Sequence, residues 1–327
     1  MPISPTQASS TSKTADIRAD AAVGDEIVVP GSVANLGGGF DTLGVAVELY
    51  LRARIVDIRD DGHSKLMVAR SVPAVSGGNA VERAFEIAAQ RTGRRAPSVV
   101  VDVTSDIPMA AGLGSSAAAS VAGIRVFERV TRVLDDPDLL GAATQAEGHA
   151  DNAAPALFGG FNSVVEVAGA APYALRWSWP RDLQLVVATP TVGLATAKAR
   201  AALPREVSRA DAIFNMQRVL ALVHALQHGE YDRLREAVKD RLHQSARSSL
   251  VPLLRETLEI DDADVLGAFL SGAGPSVALL VKAGATDVAR RLASMYQQAG
   301  IEAAVRTLGV DDQGSRVLES GVVRRTV

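Results

Sequence analysis

The sequence predicts a globular protein of two domains that mixes α-helices with β-strands. The chain has 327 residues, of which 47% are apolar and 22% charged, so it is long and apolar enough to bury a large core. This length also favours two domains over one. Segments with the alternation typical of strands and segments with helical spacing follow one another along most of the chain.

The chain is expected to begin with a disordered tail, because residues 1–22 are rich in Ser and Thr, poor in large apolar residues and without periodicity. Strands are expected to start near Gly24. A strand pattern over residues 30–49 is interrupted by the glycine cluster 37–39 and then resumes. Two further strands over residues 50–68 are expected to meet at a turn.

Apolar residues at helical spacing predict six helices. They are expected at residues 79–91, 117–130, 139–147, 209–229, 232–247 and 286–300. Apolar strands are expected at residues 183–190 and 301–308, and within 269–281 after a glycine turn. The Trp/Pro-rich segment LRWSWPRD is expected to separate an N-terminal domain, 23–180, from a C-terminal domain, 181–327.

The most informative stretch is PMAAGLGSSAAAS, which lies between a Val-rich strand and an Ala-rich helix. Gly112 and Gly114 would let the backbone turn its N–H groups inward and let a phosphate approach without meeting a side chain. Ser115 and Ser116 fall in the first helical turn, where the N–H groups and the helix dipole favour an anion. The spacing matches neither G-x-x-x-x-G-K-[ST] nor G-x-G-x-x-G. The stretch therefore predicts a nucleotide-phosphate site, with an ordinary Gly/Ser turn before a packed helix as the alternative.

Composition argues against several functional classes. The net charge is −3 with both signs interspersed, so neither nucleic acid nor an anionic membrane surface is an expected partner. The absence of cysteine excludes disulfides, thiolate chemistry and Cys-based metal sites. No apolar run reaches the roughly 20 residues of a membrane span, and no signal-peptide apolar region is found, so a cytoplasmic protein is expected.

A second group of polar residues lies where the helix over 139–147 is expected to end. Glu147, His149, Asp151 and Asn152 fall within six positions. Each could be structural, as a solvent-facing carboxylate or a capping group. Their nearness to the predicted phosphate site makes a functional role the stronger interpretation.

Three separated blocks resemble the motifs of the GHMP kinases, the superfamily of galactokinase, homoserine, mevalonate and phosphomevalonate kinases. The blocks read PGSVANLGGGFDTLG, PMAAGLGSSAA and LSGAGPS, and they follow the family order over residues of about 25 to 320. The resemblance implies a two-domain α+β fold, with a ribosomal-protein-S5-like N-terminal domain and a ferredoxin-like C-terminal domain. It also implies an active site between the two domains.

Within this superfamily, the blocks ANLGGGFDTLG, EGHADNAAPALFGGF, TAKARAALP and DRLHQSAR most closely resemble the homoserine kinases. That resemblance implies a phosphotransferase that uses ATP and Mg²⁺ to convert L-homoserine to O-phospho-L-homoserine in threonine biosynthesis. A homodimer is expected because dimers are the most common oligomers.

The resemblance also implies a role for individual residues. The ATP phosphates would lie against Pro108, Met109, Ala110, Ala111, Gly112, Leu113, Gly114, Ser115, Ser116, Ala117 and Ala118, with Asn79 near the adenine. Ser115 and Glu147 would lie near Mg²⁺. The substrate would contact Asn35, Asp41, His149, Asn152, Thr196, Arg200, Arg247 and Gly272. Ser115, His149 and Asn152 are the implied catalytic residues.

The implied substrate is a zwitterion with a primary alcohol. Arg200 and Arg247 are implied to pair with its carboxylate, and Asn35 and Asp41 with its ammonium and polar end. The residue types suit these roles, because guanidinium binds carboxylate in a bidentate manner and a carboxylate binds ammonium. Taken singly, either arginine could be an ordinary surface charge.

The reacting hydroxyl is implied to lie between His149 and Asn152. Asn152 stands where mevalonate kinases carry a catalytic aspartate, and an amide cannot accept a proton as a carboxylate does. Phosphoryl transfer tolerates this difference, because its loose transition state depends on positioning and charge stabilisation. In-line transfer without a dedicated strong base is therefore expected. A second departure is Gly38, which replaces the usual proline and should loosen the unbound loop by up to about 1 kcal/mol.

Two alternatives remain open from the sequence. One is a GHMP kinase for another alcohol, such as mevalonate or a sugar, which would have little use for Asp41. The other is a non-catalytic paralogue that binds nucleotide and substrate as a sensor. The missing carboxylate at Asn152 suits the sensor, whereas the intact Ser115, Glu147 and SGAGPS segment argue against it.

Overall fold

The computed structural model describes residues 22–75, 78–132 and 134–320, which form helices and strands around two β-sheets. The strands are β1 (Glu26–Ala34), β2 (Leu43–Arg59), β3 (Leu66–Val72), β4 (Ser98–Ser105), β5 (Phe161–Val165), β6 (Tyr173–Trp177), β7 (Leu183–Pro190), β8 (Val265–Leu270), β9 (Val277–Lys282), β10 (Ala303–Leu308) and β11 (Arg316–Leu318). The helices are α1 (Ala80–Thr92), α2 (Ser115–Thr131), α3 (Asp136–Glu147), α4 (Ala153–Phe158), α5 (Thr196–Ala201), α6 (Arg209–His228), α7 (Leu234–Ala237), α8 (Gln244–Arg247), α9 (Leu254–Leu258) and α10 (Thr286–Gln298). The predicted tail lies outside the described residues, except for Ala22, which is buried.

The first sheet has seven strands in the order β11-β1-β2-β4-β3, with β5 paired to β2 and β6 paired to β5. All of its pairings are antiparallel except that of β3 with β4. Helices α1 to α4 pack near one another and supply much of its apolar core. Phe85 of α1 and Phe127 of α2 meet edge to face at 5.4 Å between ring centroids. An edge-to-face contact stabilises an aromatic pair in addition to the stabilisation from burying its apolar area.

The second sheet has four antiparallel strands in the order β10-β7-β9-β8. Helix α10 buries Val288, Leu292 and Tyr296 against it. The mixed α+β architecture in two parts that the sequence predicts is therefore confirmed. The predicted boundary between residues 180 and 181 falls in the loop between β6 and β7. Across the described ranges, no helix combines the length and apolar character needed to cross a bilayer.

The end of the described chain returns to the first sheet. Strand β11 pairs with β1, with Leu318 opposite Glu26. Asp311, in the segment that leads to β11, accepts hydrogen bonds from the Tyr50 hydroxyl at 2.9 Å and from Arg316 at 3.0 Å. Sequence reasoning did not find this strand, because three residues are too few to show a strand pattern.

The continuous helix predicted over residues 232–247 is wrong. Short helices α7 and α8 are separated by a loop, residues 238–243. The carboxylate of Asp240 accepts hydrogen bonds from three following backbone N–H groups at 3.0, 2.8 and 2.7 Å. A side chain that bonds nearby backbone in this way competes with a continuous helix. The break allows the loop to contact the glycine cluster between β1 and β2, as described below.

Loops from both sheets meet where the glycine-rich stretch before α2 lies against the turn between β8 and β9. The Ser271 hydroxyl donates to the Gly112 carbonyl at 2.6 Å, and the N–H of Ser276 donates to the Ala111 carbonyl at 3.1 Å. These bonds join the two parts of the molecule next to a polar cavity.

Candidate active site

A cavity of about 240 Å³ lies at the junction of the two sheets. It is lined by the β1–β2 loop, the stretch before α2, the α3–α4 loop, helices α5 and α8, and the β8–β9 turn. The predicted site residues that line it are Asn35, Asp41, Ala110, Ala111, Gly112, Gly114, Ser115, Ser116, Ala117, Glu147, His149, Asn152, Thr196, Arg200, Arg247 and Gly272. The other lining residues are Phe40 and Ala273, to which the sequence assigned no role, and Asp151, which it grouped with Glu147, His149 and Asn152 without an individual role.

Five predicted residues are not part of this lining, namely Asn79, Pro108, Met109, Leu113 and Ala118. Asn79 caps helix α1, where its side-chain oxygen accepts a hydrogen bond from the N–H of Val81 at 2.9 Å. The side chains of Leu113 and Ala118 are buried in the core. Only the backbone of those two residues could therefore face a phosphate.

The stretch before α2 alternates between left-handed and ordinary backbone. Ala110, Gly112 and Gly114 have φ values of 51°, 76° and 71°. Helix α2 begins at Ser115 without a side-chain cap, which leaves the N–H groups of its first turn available to an anion. The geometry is that of an anion-binding loop at a helix N-terminus.

Close packing gives the two glycines a further reason besides the one that the sequence suggested. A methyl group added at Gly112 would clash with the carbonyl oxygen of Ser271 and lie 2.9 Å from that of Gly274. At Gly114 it would clash with the hydroxyl of Ser32. Both glycines are therefore required by left-handed φ values and close packing against the protein itself. The expectation that they also let a phosphate approach without meeting a side chain stays a prediction.

Replacement of Gly112 by alanine is expected to lower the melting temperature by several degrees and to weaken nucleotide binding by at least about tenfold. Gly93→Ala is the matched control, because Gly93 also has a positive φ, 61°, but no atom within 4 Å of the added methyl group. The control should cost only about 1–2 kcal/mol of backbone strain and leave nucleotide affinity unchanged. Thermal unfolding and titration with a fluorescent ATP analogue measure both effects. Equal losses in the two variants would contradict this packing role.

Glu147, the last residue of α3, faces the start of α2. Its Oε1 accepts hydrogen bonds from the hydroxyls of Ser116 at 3.0 Å and Ser120 at 2.6 Å. Ser115 lines the same cavity. Carboxylate and hydroxyl oxygens suit a hard cation such as Mg²⁺. Within the described residues no group of three or more His, Asp or Glu side chains could hold a metal alone, so phosphate oxygens would have to complete the ligand shell.

The buried carboxylate of Asp151 organises the α3–α4 loop. Its Oδ1 lies 2.7 Å from Nδ1 of His149 and accepts from the backbone N–H and Nδ2 of Asn152 at 3.0 and 3.3 Å. The hydrogen bond to Asp151 raises the pKa of His149. Oδ1 of Asn152 in turn accepts from the Ser32 hydroxyl at 2.9 Å. The amide of Asn152 is thus held from both ends, with one Nδ2 hydrogen left for a ligand.

Asp41 and Arg200 form a bidentate ion pair across the mouth of the cavity. Nη1 and Nη2 of Arg200 donate to the two carboxylate oxygens of Asp41 at 2.9 and 2.8 Å. The hydrogen bond to Asp41 raises the pKa of Arg200. The sequence assigned these residues to opposite ends of a substrate, whereas here each neutralises the other. About a third of each side chain is exposed, so the pair is within reach of a ligand.

Arg247 is the opposite case, a buried guanidinium that is only 1% exposed. Nε donates to the Ala199 carbonyl at 3.2 Å, and Nη1 donates to the Gly272 carbonyl at 3.1 Å and to Nδ1 of His243 at 3.2 Å. It forms no ion pair with any residue of the described chain, and burial lowers its pKa. A buried cation that lines a cavity without a counter-ion is suited to bind an anionic group.

The β1–β2 loop is held in place by the second part of the molecule. The carbonyl of Gly37 accepts from Nε2 of His243 at 2.9 Å, and that of Gly38 accepts from Nδ2 of Asn215 at 3.0 Å. Nδ2 of Asn35 donates to the Gly272 carbonyl at 2.9 Å. Four residues of this loop have positive φ values, Asn35, Leu36, Gly37 and Asp41. Non-glycine residues keep this costly backbone conformation only where several surrounding contacts hold them in it.

The ring of Phe40 lies close to both arginines of the site. Its ring centroid lies 5.7 Å from Cζ of Arg200 and 5.5 Å from Cζ of Arg247. The imidazole of His243 stacks on it at 5.1 Å. The ring provides a surface for both guanidinium groups. Sequence reasoning missed Phe40 and His243, although both lie inside blocks that it singled out.

Two family models match the chain and define the class of protein. The GHMP kinases N terminal domain matches residues 79–160, and the GHMP kinases C terminal domain matches residues 222–298. The first match includes the anion-binding loop and Asn152, and the second includes Arg247. Together with the two-sheet architecture, these matches define a GHMP kinase.

Similarity to individual proteins identifies the kind of GHMP kinase more closely. A homoserine kinase of Deinococcus radiodurans is 42% identical over 76% of this chain and 81% of its own length. That of Desulfitobacterium hafniense is 35% identical over 89% and 98%. The crystal structure of homoserine kinase from Cytophaga hutchinsonii superimposes with a TM-score of 0.79, at 26% identity over 90% of this chain and 98% of that one. The chain belongs to the homoserine kinase family.

Proposed function

We propose that this kinase transfers the γ-phosphoryl group of ATP to the hydroxyl of L-homoserine, giving ADP and O-phospho-L-homoserine in threonine biosynthesis. The observation that carries the proposal is the uncompensated guanidinium of Arg247 beside the partly exposed Asp41–Arg200 pair. A zwitterionic substrate can satisfy all three charged groups at once. An uncharged sugar would leave Arg247 without a counter-ion, and mevalonate would bring no cation to replace Arg200 at Asp41.

The Asp41–Arg200 pair supports an exchange of partners during binding. The substrate ammonium would take the place of Arg200 at Asp41, and the substrate carboxylate would be shared by Arg200 and Arg247. Because the zwitterion brings a cation for Asp41 and an anion for the two guanidinium groups, each charged group has a partner of opposite sign at the end. A ligand with only one charge could separate Asp41 from Arg200, but it would give a new partner to only one of them. The exchange therefore favours amino-acid substrates over simple acids or amines.

Asp41→Asn is expected to lower kcat/KM for L-homoserine by about 10- to 100-fold, because the ammonium loses a charged partner. The matched probe is 4-hydroxybutanoate, which is homoserine without its ammonium group. Its kcat/KM should stay the same or improve, because Arg200 is released from Asp41. Steady-state kinetics with both substrates give the comparison. A similar loss on both substrates would contradict the role of Asp41.

The hydroxyl step rests on positioning. Asn152 would donate its free Nδ2 hydrogen to the attacking hydroxyl and hold it in line with the γ-phosphate. Asp151 and Ser32 fix the amide for this role. The N–H groups at the start of α2 would stabilise charge on the phosphate oxygens. No strong base is needed, because the hydroxyl proton can leave late in a loose transition state, to an oxygen of the transferred phosphoryl group and from there to water.

Mg²⁺ would be held by Ser115 and Glu147 together with the β- and γ-phosphates, where it supplies charge neutralisation. The fit rests on their oxygen ligands and on Glu147 facing the start of α2. The hydrogen bonds from Ser116 and Ser120 hold one oxygen of Glu147 and orient the other. Three expectations from the sequence stay predictions. They are that Asn79 lies near the adenine, that the protein forms a homodimer and that it is cytoplasmic.

Glu147→Gln is expected to raise the Mg²⁺ concentration needed for half-maximal turnover by about tenfold, since a neutral amide binds Mg²⁺ poorly. Glu128→Gln, at the other end of α2, is the control and should leave the Mg²⁺ dependence unchanged. The measurement is turnover against Mg²⁺ at fixed ATP. An unchanged Mg²⁺ dependence in Glu147→Gln would contradict the metal role.

The direct test of the proposed reaction is phosphorus NMR of ATP and L-homoserine incubated with the enzyme and Mg²⁺. A new phosphomonoester resonance that appears in step with ADP supports the proposal. ADP formed with inorganic phosphate instead would mean that water is the acceptor, and the proposal would be wrong.

A further inference from the structure

We infer that His243 is a positioning residue that fixes Arg247 for the substrate carboxylate through a neutral hydrogen bond, so that the charge of the guanidinium stays available to the substrate. This role, which rests on the proposed function, would make His243 a determinant of carboxylate specificity without any contact to the substrate.

The partners of His243 dictate its protonation. The imidazole is fully buried, with Nε2 2.9 Å from the Gly37 carbonyl and Nδ1 3.2 Å from Nη1 of Arg247. A carbonyl can only accept, so Nε2 carries a hydrogen. A guanidinium can only donate, so Nδ1 carries a lone pair. Burial lowers the pKa of His243, in agreement with this neutral form.

The hydrogen-bond count of Arg247 shows what this contact achieves. A guanidinium has five N–H donors. Nε uses one on Ala199, and Nη1 uses two on Gly272 and His243. Nη2 forms no hydrogen bond within the described part of the chain, and Arg247 lines the cavity. The contacts on Nε and Nη1 thus fix the plane of the group, while the two Nη2 donors remain for a ligand.

A neutral hydrogen-bond acceptor leaves the charge of a guanidinium uncompensated, whereas a carboxylate neutralises it. Arg200 shows the alternative, because its charge is already met by Asp41 in a bidentate pair. The nearest carboxylate to His243 is Asp240, 3.8 Å from Nε2, and it is occupied by backbone N–H groups and by Asn215. A neutral imidazole therefore holds Arg247 without cancelling the field that attracts an anion.

The surroundings of His243 keep its ring in place. The ring stacks on Phe40 at 5.1 Å with an interplanar angle of 26°, and Phe40 also lies 5.5 Å from Cζ of Arg247. The bond from Nε2 ties it to Gly37, where an added methyl group would clash with the Val238 carbonyl. The imidazole thus links the β1–β2 loop to Arg247, and a change at His243 should be felt at the carboxylate site.

The test separates the two nitrogens of the ring. His243→Asn keeps an acceptor near the Nδ1 position, His243→Gln keeps a donor near the Nε2 position, and His243→Leu keeps neither. Each variant is assayed with L-homoserine and with 3-aminopropan-1-ol, which is homoserine without its carboxylate. Leu292→Ala controls for a general loss of stability, because Leu292 lies on the face of α10 that is buried against the second sheet, away from the cavity. Thermal unfolding of every variant sets an assay temperature at which all are folded.

His243→Leu and His243→Gln are expected to raise KM for L-homoserine about tenfold. Their kcat/KM for 3-aminopropan-1-ol and their KM for ATP should change by less than about threefold, as expected for contacts that do not share the carboxylate site. His243→Asn should lie close to wild type on both substrates. Leu292→Ala should lower the melting temperature without changing the ratio between the substrates.

Equal losses on both substrates in His243→Leu would overturn the inference, since a purely structural role gives that result. His243→Asn performing no better than His243→Leu would overturn it as well. Both outcomes differ from failure of the proposed function, in which the wild-type enzyme itself does not phosphorylate L-homoserine.

Discussion

Arg247→Ala is expected to lower kcat/KM for L-homoserine by about a thousandfold, mainly through a higher KM. The guanidinium is buried, forms no ion pair with a described residue and lines the cavity. A desolvated charge pair that loses one partner typically costs about 2–5 kcal/mol, and about 1.4 kcal/mol corresponds to a factor of ten. The loss is large because the substrate carboxylate would be desolvated without its strongest partner.

Two comparisons separate this effect from a loss of folding. Arg247→Lys keeps the charge but not the planar fork, so its kcat/KM should lie between those of the alanine variant and wild type. With 3-aminopropan-1-ol, Arg247→Ala should retain most of the wild-type kcat/KM. A thousandfold loss on that amine as well, in a folded variant, would contradict the assignment of Arg247 to the carboxylate.

Asn152→Asp is expected to lower kcat for L-homoserine by about a hundredfold or more. Nδ2 of Asn152 lies 3.3 Å from Oδ1 of Asp151, so the substitution sets two carboxylates against each other. The new side chain would turn away or bind a proton, and the donor to the attacking hydroxyl would be lost. The measurement is kcat against pH for both enzymes, with the fold checked by thermal unfolding.

The double variant Asp151→Asn with Asn152→Asp is the control, because it restores one amide and one carboxylate to the pair. It should recover melting temperature but little of the activity, since the amide then sits one residue too early to hold the hydroxyl. If Asn152→Asp instead kept its activity and gained a new limb in its pH profile, a carboxylate could serve as base at this position. The positioning role proposed for Asn152 would then be wrong.

Most of the fold could be predicted from the sequence because its elements carry strong local patterns. Helix α1 shows this, since Val81, Ala84, Phe85 and Ala88 follow helical spacing and are the residues that it buries. The helix over residues 232–247 could not be excluded in the same way. Its apolar residues do follow helical spacing, but hydrogen bonds from backbone N–H groups to the Asp240 carboxylate interrupt the helix. The periodicity of apolar residues does not reveal this competition between a side chain and the helical backbone.

The site was predictable in its residue types but not in its pairings. The sequence identified Asp41 and Arg200 as charged groups of one site, yet their separation by 159 positions gives no sign that they bind each other. Asp151 and His243 lie within singled-out blocks and act through neighbours, one on Asn152 and the other on Arg247. Such roles depend on distances and tautomers that only the folded chain defines.

The cavity is proposed to select a zwitterionic alcohol as phosphoryl acceptor. The most direct measurement is kcat/KM from a coupled ADP-release assay with Mg-ATP, comparing L-homoserine, D-homoserine, L-threonine, mevalonate and galactose at equal concentration. Turnover with L-homoserine, and little with the other four, is the predicted result. Turnover with mevalonate or galactose instead, or nucleotide binding without turnover of any alcohol, would contradict the claim.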